Sequence, residues 1–414
     1  MLSLLYLSLF LTSCIKDDPI INNPIPIQKI VQWKFNVNLS EFANELYVDP
    51  LLYKEWILIG FITDRQTRNL PTFIAFDKKT GEKVWQYVYP GKNTDYIRNM
   101  KIFQHLLLVK YTDRIICFNL ESRQLVWEKI YHPNEKSDFP MEIYGEFLYQ
   151  GQEYYDNVRD FPFNDSVTLV RYHILSGKLD KLYGVRKKAS ESDYPLLFPS
   201  LVVQDGNKEL IIFSRYYLSL NTHKPVDMFA IDIDSKEVVW KDSAYSPYRS
   251  SWNTPPYIFE RSVIGASDWS IYSWDAATGK LNWKSELKSL NNQAGFSFSG
   301  PFVHGNKVYA IENDGHMFCL DASTGSIIWQ NINVGANNNG PARGPCIRPI
   351  IVDDILYVNT WSDQAFILFD ANTGKQLERY RDADYNGRNV LYDEETKTFF
   401  VTADDQLRAF TVKR

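Results

Sequence analysis

Residues 275–283 read DAATGKLNW, and nearly the same nine residues return as DASTGSIIW at 321–329 and DKKTGEKVW at 77–85. With the Asp as anchor, the pattern recurs in FIAFDKKTGEKVW (73–85), IICFNLESRQLVW (115–127), LVRYHILSGKLDK (169–181), MFAIDIDSKEVVW (228–240), IYSWDAATGKLNW (271–283), MFCLDASTGSIIW (317–329) and FILFDANTGKQLE (366–378). The anchors fall at 77, 119, 173, 232, 275, 321 and 370, so successive copies lie 42 to 59 residues apart. A period of this size in a chain with 15% aromatic residues marks an all-β propeller whose blades are four-stranded antiparallel sheets.

Each residue type in the repeat has a physical reason. The apolar run before the Asp is one strand, KLNW or its equivalent is the next, and the residues between them form the hairpin turn. Gly supplies a positive φ, while Asp and Thr side chains bond turn amides. The Trp, four residues after the Gly, falls on the outer strand, where a large flat ring can cover the seam with the neighbouring blade. Copies three and seven carry Lys181 and Glu378 there, so those blades are expected to be less well sealed. The chain ends complete the count. QLRAFTVKR (406–414) matches the strand before the turn and IVQWKFNV (30–37) the strand after it, with Trp33 as its tryptophan. Together they make one further blade, which gives eight blades of about 48 residues. A ring closed in this way has no open sheet end.

The N-terminus reads MLSLLYLSLFLTSC. Its apolar run is too short for a transmembrane helix and suits a signal-peptide core. Leu11, Thr12, Ser13 and Cys14 resemble a lipobox, which implies a signal peptide over 1–13 and lipidation of Cys14. IKDDPIINNPIPIQ then reads as a tether over 14–29 leading into a propeller over 30–414. The CIKDD opening resembles an export signal to the outer surface of the outer membrane, which leaves the cell surface and the periplasmic face both open. The other cysteines, Cys117, Cys319 and Cys346, show no metal-knuckle spacing. Cys117 and Cys319 stand two residues before the anchor, where other copies have Ala75, Ala230, Ser273 and Ala409, and read as small core residues. A net charge of -5 leaves no surplus of cations for a phosphate backbone, which argues against nucleic acid as a partner.

The pattern of aliphatic residue, Asp, two variable residues, Thr-Gly and Trp resembles the quinoprotein-type (PQQ-like) eight-bladed propellers. That family includes the quinone-dependent alcohol dehydrogenases and the outer-membrane assembly lipoproteins of the BamB type. The resemblance implies the fold for nearly the whole chain after the tether; it does not by itself imply a reaction. The dehydrogenases carry an adjacent-cysteine disulfide, a Trp floor under the quinone, a Ca²⁺ site and an Asp base. This chain has no Cys-Cys pair, and none of the other elements matches residue by residue. The expectation is therefore no catalytic residue, no quinone or other cofactor and no metal, and the six His residues form no metal-ligand spacing.

In a propeller blade with strands A to D from axis to rim, the C–D and A–B turns share one face, and the B–C turns and D–A crossings share the other. The repeated nonamer is a C–D turn, so it is scaffold, and function belongs to the variable loops of the opposite face. Those loops are expanded at 63–72, at 151–166 (GQEYYDNVRDFPFNDS) and at 214–227 (SRYYLSLNTHKPVD), and the crossing 241–257 (KDSAYSPYRSSWNTPPY) is aromatic-rich. Candidate ligand- or partner-binding residues are Tyr154, Tyr155, Tyr248, Arg249 and Trp252, with Asn338 and Arg343 in NVGANNNGPARGPCIRP (333–349) as a second cluster. The alternative is that the aromatics pack the long loops together. Two function classes stand side by side: a non-catalytic, membrane-anchored monomeric scaffold for an envelope protein, and a surface propeller that binds or cleaves glycans. Replacing Cys14 by Ala is expected to abolish metabolic labelling with a radioactive fatty acid, and acyl-dependent membrane retention of that variant would refute the lipobox reading.

Overall fold

In the strand Thr72–Asp77, neighbouring side chains belong to different cores. Phe73 and Ala75 pack with Leu107, Val109 and Phe118 of the following sheet, whereas Ile74 and Phe76 pack with Phe400, Leu407 and Ala409 near the end of the chain. Successive strand residues point to opposite faces, so a strand covered on both faces needs an uninterrupted apolar run, and FIAF supplies it. The structure, a computed structural model, describes residues 28–36, 50–61, 72–88, 97–111, 113–132, 135–137, 141–154, 166–186, 194–218, 227–243, 256–267, 270–287, 301–311, 316–331, 349–360, 365–381, 389–403 and 406–413. Cys14 and the segment around it lie outside these residues.

Eight sheets follow one another: blade 1 over 51–88, blade 2 over 97–130, blade 3 over 135–186, blade 4 over 194–242, blade 5 over 257–286, blade 6 over 302–331, blade 7 over 350–381, and blade 8 over 389–413 with Gln28–Asn36 as its outer strand. Every blade is antiparallel with strands A to D in order, and in blade 3 strand A is split into Glu135–Lys136 and Met141–Tyr144, both paired to strand B. The predicted split blade is present: Gln28 pairs with Lys413, Ile30 with Thr411 and Phe35 with Leu407. One hydrophobic cluster fills each of the eight seams between consecutive blades.

The repeated turn is held by its Asp. In blade 5, Asp275 Oδ1 accepts from the amides of Ala277 and Thr278 and from the Thr278 hydroxyl, at 3.2, 2.9 and 2.8 Å. Asn119 fills the same role in blade 2 with the amides of Glu121 and Ser122. In blade 4 the Ser235 amide, helped by that of Asp234 against the opposing effect of burial, holds the Asp232 carboxyl below its usual range.

In blades 2, 4, 5 and 6 the Trp then ties the blade to the next. Indole Nε1 donates to the backbone carbonyl that follows the next anchor: Trp127 to Ile174 at 2.7 Å, Trp240 to Ala276 at 2.9 Å, Trp283 to Ala322 at 3.1 Å and Trp329 to Ala371 at 3.1 Å. The turn Gly of the receiving blade lies against the indole face. A Cβ on Gly279, Gly325 or Gly374 would come within 2.5, 2.5 or 2.4 Å of the ring, and all three have φ near +70°. Across the hairpin the Trp sits opposite a small residue: Ala75 to Trp85, Cys117 to Trp127, Ala230 to Trp240, Ser273 to Trp283 and Cys319 to Trp329. Where the Trp is absent the partner grows, as Leu368 faces Glu378, while in blade 3 the strand bulge shifts so that Arg171 faces Asp180 and Lys181 faces Val170. Cys117 and Cys319 are thus space-limited packing residues, and burial pushes their thiols up to about 12 and about 11.

The expectation that Trp-less blades are poorly sealed is corrected by the structure. After blade 3, Phe213 stacks on Phe229 at 5.3 Å and Tyr183 packs tilted against both at 5.4 and 5.9 Å, and the 12-residue strand Tyr194–Asp205 packs on strands A, B and C of blade 3. After blade 7, Tyr357, Phe366, Tyr392, Phe399 and Phe410 form one aromatic cluster, with Tyr357 and Phe399 4.4 Å apart. Aromatic packing replaces the indole bond because apolar area, not one donor, excludes the water.

Gly374→Ala and Gly206→Ala separate strain from clash, since Gly206 has φ +61° and open space around it. Gly206→Ala should cost about 1–2 kcal/mol for the left-handed backbone, and Gly374→Ala about 1–3 kcal/mol more for displacing Trp329, read by denaturant unfolding. Equal losses would remove the indole from the explanation. Asp232→Asn should keep the turn, as Asn119 does, but flatten acid sensitivity. A depressed carboxylate stabilises above its unfolded pKa of about 3.9 and loses that contribution as pH falls through the folded value. The variant's melting temperature should therefore drop less than that of the unaltered protein between about pH 5 and pH 2.

Candidate functional site

The B–C face is level over most of the ring and raised at blades 3 and 4. Strand B has six residues in blades 1, 2, 5 and 7, but eight in blade 3 (Phe147–Tyr154) and eleven in blade 4 (Lys208–Leu218). In blade 4 the B–C ladder ends at Arg215 with Asp227, yet the A–B ribbon continues through Leu196/Tyr216, Pro195/Tyr217 and Tyr194/Leu218. Three further pairs carry it roughly 10 Å past the sheet.

At the base of this wall strand B of blade 3 turns polar. Gln150, Gln152 and Glu153 are all buried, three polar side chains within four residues of one strand. Gln150 Nε2 donates to the Tyr131 hydroxyl at 2.9 Å. Gln152 Nε2 and the His132 amide both donate to Glu135 Oε2 at 3.0 Å, and the Glu135 amide donates to the His132 carbonyl at 2.7 Å. Ser137 Oγ donates to the Gly151 carbonyl at 2.6 Å. The Tyr131 amide reaches the Asp113 carbonyl at 2.8 Å, and the buried Arg114 donates to Asp113 and Glu128 at 2.7 and 3.1 Å. This network fixes the crossing from blade 2 to blade 3 and the split inner strand. Gln150 Oε1 and the Tyr172 hydroxyl are buried with no partner among the described residues. Burial pushes the Tyr131 and Tyr172 hydroxyls far above their ordinary value, so both remain protonated.

On blade 4 the same end is charged. Asp227, itself buried, accepts from Arg215 Nε at 2.9 Å and lies 3.5 Å from Lys241 Nζ, and both cations sit over the Phe229 ring at 4.8 and 5.3 Å. Asp242 follows Lys241 and pairs with Met228 on the neighbouring strand, so the cluster combines two cations with two carboxylates.

Of the candidate residues, Tyr154 is placed at the top of strand B of blade 3, opposite Ser166 and Glu135, half-buried, with its ring 6.5 Å from that of His132. Tyr155, Tyr248, Arg249, Trp252, Asn338 and Arg343 lie outside the described residues. Sequence reasoning missed Tyr131, Gln150, Gln152 and Tyr172. The run QGQEY inside a strand B was the signal, because polar residues there demand partners. Among the described residues no group of three or more His, Cys, Asp or Glu side chains could hold a metal ion. The carboxylates of Asp113, Glu128, Glu135 and Asp227 are engaged by donors, an arrangement suited to fixing a surface rather than to proton transfer.

Comparisons with known proteins agree with the geometry. Residues 214–413 match the family model described as outer membrane protein assembly factor BamB. The crystal structure of BamB from Moraxella catarrhalis superposes with a TM-score of 0.60 at 13% identity, covering 93% of this chain and 100% of that one. A europium-containing methanol dehydrogenase superposes with a TM-score of 0.56 at 12% identity, covering 91% of this chain and 84% of the other. In sequence, the tetrathionate hydrolase of Acidithiobacillus ferrooxidans is 23% identical over 160 residues, which cover 36% of this chain and 30% of that protein. The chain thus spans less than a third of the length of that curated relative. At these identities the structural likenesses establish the fold alone. The chain is an eight-bladed β-propeller that resembles BamB over residues 214–413 in sequence and around nearly the whole ring in shape.

Proposed function

We propose that the protein is a non-catalytic scaffold of the cell envelope, anchored in the outer membrane through a lipid on Cys14, and that it binds a protein partner on the raised B–C face of blades 3 and 4. The observation that carries this reading is the asymmetry of the ring: one face repeats the same turn, and the other rises at two adjacent blades above a rigid polar base. The match to the assembly-factor family over 214–413 supports an envelope role. The charged groups at that face, Arg215, Lys241 and Asp227 on blade 4 and Glu135 on blade 3, support a protein surface, because fixed charges orient an incoming partner. Neither a quinone nor a metal is needed for this role. A glycan ligand is the competing occupant, with Tyr154 beside His132 as its stacking platform.

The test is affinity purification from detergent-solubilised membranes with quantitative recovery of bound material. Replacing Tyr154, Tyr155 and Trp252 by Ala should weaken retention by about 1–3 kcal/mol if one of them is an anchor. The opposite-face change Lys280→Glu with Lys375→Glu should leave retention within error, because exposed charges at that distance are screened. Loss with the turn variant alone would reverse the assignment of faces, and retention of polysaccharide in place of protein would favour the glycan reading.

A further inference from the structure

The polypeptide enters the ring at a defined place. In Gln28–Asn36, the outer strand of blade 8, Gln28 pairs with Lys413 and Asn36 with Gln406. Gln406 also pairs with Ala403 across the B–C turn of the same blade, so the Asn36 end of this strand lies on the B–C face and the Gln28 end on the face of the repeated turns. The chain before residue 28 therefore joins the propeller at its rim, on the C–D face. The raised wall stands on the other face, carried by Phe147–Tyr154 and Lys208–Leu218. It also stands on the other side, because blades 8 and 4 are four blades apart in a ring of eight. Entry point and wall are separated both by the thickness of the ring and by its width.

Chain length turns this separation into an orientation. At full stretch the chain from Cys14 to Gln28 spans about 46–50 Å. With the C–D face turned to a bilayer, a lipid on Cys14 reaches it with nearly all of that length in reserve. With the B–C face turned to it, the chain must first run back beside Gln28–Asn36, about 27 Å of strand, and a level ring stands roughly 10 Å further off on its wall. Over half of the span is then committed before the bilayer is reached. A chain held so far extended loses most of its conformations, and the first arrangement carries no such cost.

We infer that the anchored propeller stands with its repeated-turn face toward the membrane and the wall of blades 3 and 4 pointing away from it, so that the wall meets its partner on the side remote from the lipid. The wall carries fixed charges of both signs, Arg215, Lys241, Asp227 and Glu135, which a folded protein surface can pair one by one and a lipid surface cannot. The inference rests on the lipid at Cys14 proposed above.

Energy transfer on vesicles tests it. The full chain with Cys346→Ser, purified from detergent-extracted membranes, is placed in the outer leaflet of phosphatidylcholine vesicles that carry an acceptor dye on their headgroups. A donor dye is attached in turn to Lys79→Cys and Lys280→Cys, in the repeated turns, and to Val88→Cys and Glu286→Cys, at the far ends of the outer strands of the same two blades. All four positions are exposed, and Cys117 and Cys319 are buried. Val88 pairs with Thr72 and Glu286 with Ser270, beside the B–C turns, so the two reporters of a blade differ mainly in height, by roughly 20 Å. For that difference in height, transfer should be at least about twofold stronger from the turn reporter in each blade. Equal or reversed transfer in either blade would overturn the orientation and leave the anchor standing. Loss of the chain from the vesicles, to the same extent as the Cys14→Ala variant, would overturn the anchor and the orientation with it.

Discussion

The indole of one blade lying across the turn of the next is the contact on which the rest of the ring depends. Sheets in a propeller share no backbone hydrogen bonds, so each seam must be closed by side chains. A Trp on strand D does this at the rim, where the wedge between blades is widest, and its N–H fixes the angle between neighbours. That single contact dictates three other positions: a small residue opposite the Trp, a Gly in the following turn, and an Asp or Asn to hold that turn in shape. Cys117, Cys319, Gly325 and Asp321 are therefore not separate features but parts of one repeated joint.

Where the joint is missing, the chain seals the seam by other means. Arg171 and Leu368 occupy the space that a Trp would otherwise cross, and Lys236 stands where Gly is no longer required. Arg123 shows the intermediate case. It keeps the left-handed turn, with φ 57°, and stacks its guanidinium on Trp85 instead of letting the indole reach the backbone, and the Trp85 N–H is left buried without a partner among the described residues. Stability in this fold is thus a sum over seams in which directional bonds and apolar area substitute for each other.

The asymmetry of the ring is what the proposed binding face rests on. Blades that only close the circle keep short strands and short turns, while blades 3 and 4 grow taller on one face and acquire a buried polar base. Burying Gln150, Gln152 and Tyr131 carries a desolvation cost that aliphatic residues would avoid. Their network fixes the split inner strand and the crossing beneath the wall. A scaffold shared by dehydrogenases and assembly factors does not choose among activities; the loops placed on it do.

The sequence by itself determined the ring: the nonamer, its spacing and the half-repeats at the two ends specify eight blades and their closure, because turn geometry and strand alternation are local properties. It also assigned Cys117 and Cys319 correctly as packing residues, since their alignment with Ala and Ser exposes a size limit. The proposed binding face was legible only as unequal loop lengths. What the tertiary structure alone decided is which residues meet between elements, because those contacts join positions that no local pattern links, from 19 residues apart for Gln150 and Tyr131 to 317 for Lys78 and Glu395. The pairing of Gln150 with Tyr131, the clasp of Lys78 on Asp393 and Glu395, and the aromatic fillings after blades 3 and 7 are of this kind. A missing Trp in the sequence reads as a gap; only packing in three dimensions shows that Tyr183, Phe213 and Phe229 have filled it.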